Sequence, residues 1–366
     1  MLSKAELKVA TGAGCVLVVA ALTAATLAPQ PVVVRSAADT AAVTPAPVVA
    51  PRPTPTPART RPQASTVVRG PVAPAPPLTG CPTRKRPPSP SSQHTPKPRA
   101  APVVAEAALP APLPVRGKAT SLDAVRGKGL WVTPWVKTDV DVPTLVAQAK
   151  RSGARSLWIR SGGTRQGYYG DHFLGQLVPE AHAAGLAVIA WDFPFLSDPV
   201  ADARRAQQAL ATGIDAFSPD VETQAEGTYA TARRVALYLS LVRRYAGNRP
   251  VVATVPRPTK QRATFPYRAF VPYADVFAPM VYWSCKEPGK VVQESLTSLG
   301  GLLPVAPIGQ AYDMGNEGGR TGRPSRLETL RFLDAARRGG ALGASLWTVE
   351  EAGAGQLQAL SDYAWP

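Results

Sequence analysis

Asp220 and Glu222 stand two residues apart at the end of Ile214-Asp-Ala-Phe-Ser-Pro-Asp-Val-Glu222, a segment that reads as a β-strand. In an extended strand, residues two apart point the same way with Cα atoms about 6.5 to 7 Å apart, so both carboxylates face one pocket. Acids this close repel each other's charge, and one of them keeps its proton near neutral pH. A protonated carboxyl beside an ionised one is the equipment for breaking an acetal. Carboxylates on the same side of one strand do not reach opposite faces of a sugar ring, so this pair is not expected to divide the work as acid and nucleophile about 5 to 5.5 Å apart. A third carboxylate, Asp313, Asp192 or Glu350, is one way to complete such a site.

Positioning these acids requires a scaffold, and the chain supplies a repeat. Strand-like and amphipathic helical runs alternate eight times beyond residue 128, each helix tending to end at Gly or a similar stop. The strands read Leu130 to Trp135, Ser156 to Ser161, Leu186 to Asp192, Ile214 to Glu222, Val251 to Val255, Val276 to Trp283, Val305 to Gln310 and Ala344 to Thr348. Helical stretches include Pro143 to Arg151, Phe173 to Ala184, Pro199 to Ala211, Tyr229 to Tyr245, Val291 to Leu299 and Ser325 to Arg338, with a weaker fifth helix around Tyr267 to Val271. A period of about 30 residues repeated in this way predicts an α/β fold of the (β/α)8 TIM-barrel class. A doubly wound open sheet fits less well, because no glycine-rich phosphate loop follows the first strand, Leu130-Trp-Val-Thr-Pro-Trp135.

Active sites of this barrel lie at the carboxyl ends of the strands. On strand four, Ala216 and Ser218 share a side with Asp220 and Glu222, while Phe217, Pro219 and Val221 take the other; small residues suit the barrel interior and large apolar ones the helix layer. By the same alternation Met280 and Tyr282 point where Glu222 points. Arg160, Asp192, Gln310, Tyr312, Asp313, Trp283 and Trp347 complete the expected substrate-binding rim, in which flat rings with polar handles suit the faces and edges of sugars. The Gly-x-Ser-x-Gly elbow of a serine hydrolase is missing. His94 lies in a proline-rich stretch, which leaves His172 and His182, too few for a multi-histidine metal site. Neither a metal nor a cofactor is expected.

Asp215-Ala-Phe-Ser-Pro-Asp-Val-Glu222 resembles the family 18 chitinase signature, with Ser218 in place of the middle acid. Met280-Val-Tyr282 looks like that family's strand-six Met-x-Tyr, and Trp347 like its strand-eight tryptophan, whereas Trp283 stands where an aspartate is usual. The stretch from Gly129 to Glu222 is also similar to family 25 lysozymes in its arginine-ending second strand, its Ala-Gly-Leu before strand three and its Asp-Val-Glu. There Trp131 replaces an aspartate and Asp192 a common histidine. The resemblance implies that Glu222 is the general acid and base, that Asp220 orients a substrate group beside it, and that the substrate's own N-acetyl oxygen attacks. Cell-wall peptidoglycan or chitin is the implied glycan.

Composition divides the chain. Of 40 prolines, 23 fall between Pro29 and Pro114, with no apolar periodicity, which predicts a disordered linker over 30–118 and one folded domain over 119–366. Residues 1–118 hold 14 Lys and Arg against 3 Asp and Glu, so most of the net charge of +16 lies in that stretch and nucleic acid is not expected as a partner. The uncharged run Val9 to Ala28 behind Lys4 and Lys8 predicts a membrane anchor or signal segment over 1–29, hence a barrel held outside the cell by a single-pass anchor, or secreted. The expected partners are a polysaccharide and, through that segment, the membrane; the expected state is a monomer. Cys15, Cys81 and Cys285 make no disulfide framework, and free thiols are preferred over a Cys81–Cys285 bond. Two functional classes remain open: a glycoside hydrolase, and an inactive barrel that binds glycan or an envelope partner, for which Ser218, Trp131 and Trp283 speak.

Overall fold

The computed structural model describes residues 80–81, 102–115, 117–133 and 141–365. Within them, eight parallel strands form a ring in chain order: β1 (Gly127–Val132), β2 (Ser156–Gly163), β3 (Ala187–Phe193), β4 (Ala216–Pro219), β5 (Val252–Pro256), β6 (Val276–Val281), β7 (Ile308–Gln310) and β8 (Gly343–Trp347). The register joins first to last, with Gly129 of β1 opposite Ser156 on one side and Ser345 on the other. Between β4 and β5 the ladder is not continuous. Only the isolated bridges Phe217–Val251 and Asp220–Thr254 join the two strands, so the barrel is distorted and partly closed at the edge that carries the acids.

Helices α1 (Val142–Arg151), α2 (Asp171–Ala183), α3 (Pro199–Ala211), α4 (Ala232–Ala246), α5 (Pro288–Leu299), α6 (Arg326–Arg338) and α7 (Ala354–Asp362) alternate with the strands. Their starts are written in the sequence. Asp198 caps α3 by accepting from the Val200 and Ala201 N–H groups at 3.1 and 3.0 Å, with Pro199 in the first turn. Thr231 caps α4, and Ser325 with Glu328 forms a capping box on α6. Gly213, at φ +87°, lets the chain leave α3 and turn into β4, a conformation that costs other residues a steric clash.

Apolar side chains fill two layers. Phe217, Val221, Phe277 and Leu346 pack outward against the helices, whereas Trp131, Trp158, Trp191, Ala216, Val252, Val276 and Ala278 fill the barrel interior. The alternation expected for strand four holds: Ala216 faces in and Phe217 faces out. Inside, Trp131 stacks on Trp158 with ring centroids 4.7 Å apart, and Trp347 meets Trp131 and Trp191 at 5.6 and 5.2 Å. These rings crowd the side formed by β1, β2, β3 and β8. Small and branched side chains on β4, β5 and β6 leave the opposite side roomier.

No α-helix follows β5. The expected fifth helix is the 3-10 turn Tyr267–Ala269, preceded by another at Lys260–Arg262. Pro266 removes a donor at its start, and Phe265, Tyr267 and Phe270 cluster over Phe277, filling by rings the place a helix would cover.

Residues 102–115, which fall within the stretch expected to be a disordered linker, are held against the barrel. Val104 N–H donates to Ser197 O at 3.0 Å, Leu113 N–H to Ser240 Oγ at 2.9 Å, and Leu109 is buried, so residues 102–115 run as a strap along the barrel's outside. Arg233 and Arg234 of α4 supply the missing donors, binding the carbonyls of Leu109 and Val104. Cys81 and Cys285 form a disulfide, contrary to the expectation of free thiols, with Cα atoms 5.6 Å apart across a separation of 204 residues.

The expectation of a membrane anchor is corrected. No helix among the described residues is long and apolar enough to cross a membrane. The 15-residue α4 spans about 22 Å, short of the ~30 Å hydrocarbon core, and carries Arg233, Arg234, Arg243 and Arg244. Residues 1–29, on which that expectation was placed, lie outside the described residues, as do residues 30–79 and 82–101 of the stretch expected to be a linker. The membrane is therefore not retained as a partner, nor an anchored placement as the localisation.

Candidate active site

A cavity of about 870 Å³ opens at the carboxyl ends of the strands. Asp220 and Glu222 reach it from the extension of β4, Thr254 from β5, Met280 and Tyr282 from β6 and its end, Tyr312 from beyond β7, and Trp347 from β8. Its floor is apolar, bounded by the buried Trp131 and Ile308. The expected convergence of the acid pair with Met280, Tyr282, Trp283, Tyr312 and Trp347 is thus present in one hollow.

Local bonds fix the acids. Ser218 Oγ donates to Val252 O at 2.8 Å and lies 2.8 Å from Thr254 Oγ1, while Val221 N–H donates to Thr254 O at 3.0 Å. Asp220 N–H donates to Asp192 O at 2.9 Å, so the residue is held on both sides by backbone. Its side chain is only 7% exposed, and Oδ1 has no hydrogen-bond partner. An acceptor buried without a donor costs free energy and is a place for a ligand N–H or O–H.

Both acids favour their protonated forms. Burial raises Glu222 first, and the charges of Asp220 and Glu226 raise it further against the opposing pull of Arg262. Burial likewise raises Asp220, opposed by the Arg160 guanidinium and reinforced by Asp192. The phenols of Tyr282 and Tyr312 are raised by burial as well, so both remain hydrogen-bond donors; Tyr312 OH donates to Glu317 Oε2 at 3.1 Å. The two rings meet edge to face at 5.4 Å.

Several expected site residues lie elsewhere. Asp192 is fully buried behind β3, 2.9 Å from Arg205 Nε on α3, because Trp191 takes the inward position beside it. Arg160 faces into the barrel with its guanidinium 4.9 Å above the Trp191 ring, beneath the cavity wall instead of on it. Gln310 is fully buried, its Oε1 accepting from Ser284 N–H at 2.9 Å and its Nε2 donating to Tyr312 O at 3.0 Å; it braces two lining residues without joining them. Asp313 is exposed and accepts from Gly315 N–H at 2.7 Å, which holds its carboxyl below the usual range. Glu350 accepts from Thr133 N–H. None of the three candidates for a third carboxylate lines the cavity.

The carboxylates that do line it are Glu226 and Glu317, joined by the cations Arg257, Arg262 and Lys286. All five sit in loops after strands, where no periodicity marks direction; only their position just beyond strands four to seven could have singled them out. Ser284, at φ +49°, and Cys285 form part of the rim, so the disulfide fastens Cys81 directly to the cavity's edge. Among the described residues no group of three or more His, Cys, Asp or Glu is arranged to hold a metal ion.

No protein-family model matches the sequence, and no curated protein matches it. Among solved structures, the chain is similar to the C-terminal domain of a putative chitinase from Desulfitobacterium hafniense, at 12% identity over 64% of this chain and 98% of that one, with a TM-score of 0.49. It is similar to the spore cortex-lytic enzyme SleL of Bacillus cereus at 11% identity, over 65% and 74% of the two chains, with a TM-score of 0.49. A third is the GH18 chitinase ChiB of Flavobacterium johnsoniae, at 10% identity over 64% and 93%, with a TM-score of 0.47. At such identities the likeness concerns the fold alone, and the chain's own strand order describes that fold: a distorted, partly closed barrel of eight parallel strands.

Proposed function

We propose that the chain is a glycoside hydrolase acting on a glycan that contains N-acetylhexosamine, such as peptidoglycan or chitin, with Glu222 as general acid and base. The observation that carries this is the placement of Glu222 and Asp220 in one cavity whose surroundings favour the protonated carboxyl. A glycosidic oxygen is a weak base and its departure needs a proton, which a carboxyl with a raised pKa holds ready at neutral pH.

In this reading Glu222 gives its proton to the leaving oxygen as the C1–O bond breaks. As the resemblance to family 18 chitinases implies, the carbonyl oxygen of the substrate's N-acetyl group forms the bond to C1, since the two acids of β4 share one side and do not reach both faces of the sugar. The unpartnered Oδ1 of Asp220 accepts the amide N–H of that group and holds it in place. Water then bonds to C1 as the bond from C1 to the N-acetyl oxygen breaks, and Glu222 takes the proton that the water loses. Tyr282 donates a hydrogen bond to a substrate oxygen, Tyr312 packs edge to face against it, and Trp347 offers a ring to a sugar face.

A binding barrel without turnover is the second reading, favoured by two observations. Trp131 fills the first-strand position with a ring, and the Ser218 hydroxyl, where the resemblance has a carboxyl, is spent on the seam to β5. Incubating the protein with chitin oligomers and with peptidoglycan separates the two: new reducing ends support the hydrolase, and retention of glycan without release supports the binder.

A further inference from the structure

Arg257 and Arg262, in the loop after β5, and Lys286, beyond β6, line the cavity that holds the acid pair. Cations at a protein surface are usually solvated or matched to a carboxylate. Here Arg257 pairs, among the described residues, with Glu294 at 3.9 Å, half-exposed on α5, which is not among the cavity's lining residues. The Arg262 charge acts on Glu222 across the cavity, lowering its pKa against the effect of burial. The two arginines are also neighbours: Arg262 Nη1 donates to the backbone carbonyl of Arg257 at 3.4 Å, and after burial it is the Arg262 charge that most disfavours a charged Arg257. Bringing like charges together in a half-buried wall costs folding free energy, and a bound anion offsets that cost.

Charge balance in the cavity points the same way. Four carboxyl groups face three cations, but Asp220, Glu222 and Glu317 are all shifted toward their neutral forms. The lining then sets three cations against fewer anions, an excess of positive charge that a neutral polysaccharide does not match.

We propose that Arg257, Arg262 and Lys286 form a specificity subsite for a carboxylate carried by the glycan, so that the preferred substrate is an acidic N-acetylhexosamine polymer rather than a neutral one. The planar guanidinium fork matches a carboxylate in two parallel hydrogen bonds, and Lys286 adds a point charge. Arg262 also lowers the Glu222 pKa, so a substrate carboxylate that neutralises it strengthens the hold of Glu222 on its proton. The correct substrate would thereby improve the acid that cleaves it. A second cavity of about 660 Å³ shares Arg262 and Glu226 with the first and gives the chain of such a polymer room to continue past the subsite.

This inference rests on the glycan reading of the site, and its test separates the two. Oligomers of N-acetylglucosamine are compared with oligomers of equal length in which alternate residues carry a lactyl carboxylate, measuring both binding and release of reducing ends by the full chain. Expected is a preference of about tenfold or more for the carboxylate-bearing oligomer, falling toward one in Arg257→Gln and in Lys286→Gln, each checked for a wild-type unfolding profile. Equal handling of both oligomers, or an unchanged ratio in both variants, overturns the subsite and leaves the hydrolase standing. Preferential binding without release keeps the subsite and removes the hydrolase; neither binding nor release removes both.

Discussion

The Ser218 and Thr254 hydroxyls lie 2.8 Å apart across the seam where β4 and β5 pair only through isolated bridges. Two residues after Ser218 comes Asp220, whose backbone bridges to Thr254 itself. At the weakest join of the barrel a side-chain bond thus adds to the backbone bonds that align the acid pair. Ser218→Ala is expected to lower stability by about 1 kcal/mol, read from urea denaturation, and to lower kcat more than it raises KM. Unchanged stability would mean that the hydroxyl pair does not secure the seam.

The raised Glu222 carboxyl has a consequence for stability against pH. Its pKa is near 4.5 when unperturbed and is pushed up to about 9 in the fold, so between these values the folded chain holds a proton that the unfolded chain has released. This group stabilises fully below about 4.5, and its contribution is lost as pH rises toward 9. The thermal midpoint of the native protein is expected to decline across that window, and Glu222→Gln to flatten the decline. A profile identical in the two proteins would show an unperturbed carboxyl.

Asp192 is bound to Arg205 at 2.9 Å, and Arg205 also reaches Asp202 at 2.8 Å, all behind the sheet. Removing the cation by Arg205→Ala leaves two buried carboxylates and is expected to cost about 3 to 5 kcal/mol, measured by chemical denaturation. Asp192→Asn is expected to affect stability without changing KM. A raised KM in a protein of native stability would return Asp192 to the substrate.

How the sequence spoke of this fold follows from which residues had periodicity to speak with. Ala216, Phe217 and Ser218 alternate small and large, so the direction of Asp220 and Glu222 was legible from one strand, and Met280 and Tyr282 followed by the same rule. Asp192 broke the rule because tryptophans fill this barrel: Trp191 points inward and the acid turns to a partner thirteen residues on, which no local pattern encodes. Glu226, Arg262 and Glu317 sit in loops, where direction is set by tertiary contacts. The Cys81–Cys285 bond spans 204 residues, beyond any local signal, and Cys81 carries proline-rich surroundings that suggested a linker.

The most direct measurement compares wild type and Glu222→Gln for release of reducing ends from N-acetylhexosamine glycans and for binding of the same glycans. Expected is turnover by the wild type that falls about 10²- to 10⁴-fold or more in the variant while glycan binding persists. A variant that cleaves at the wild-type rate would contradict the role given to Glu222, and with it the function proposed for the cavity.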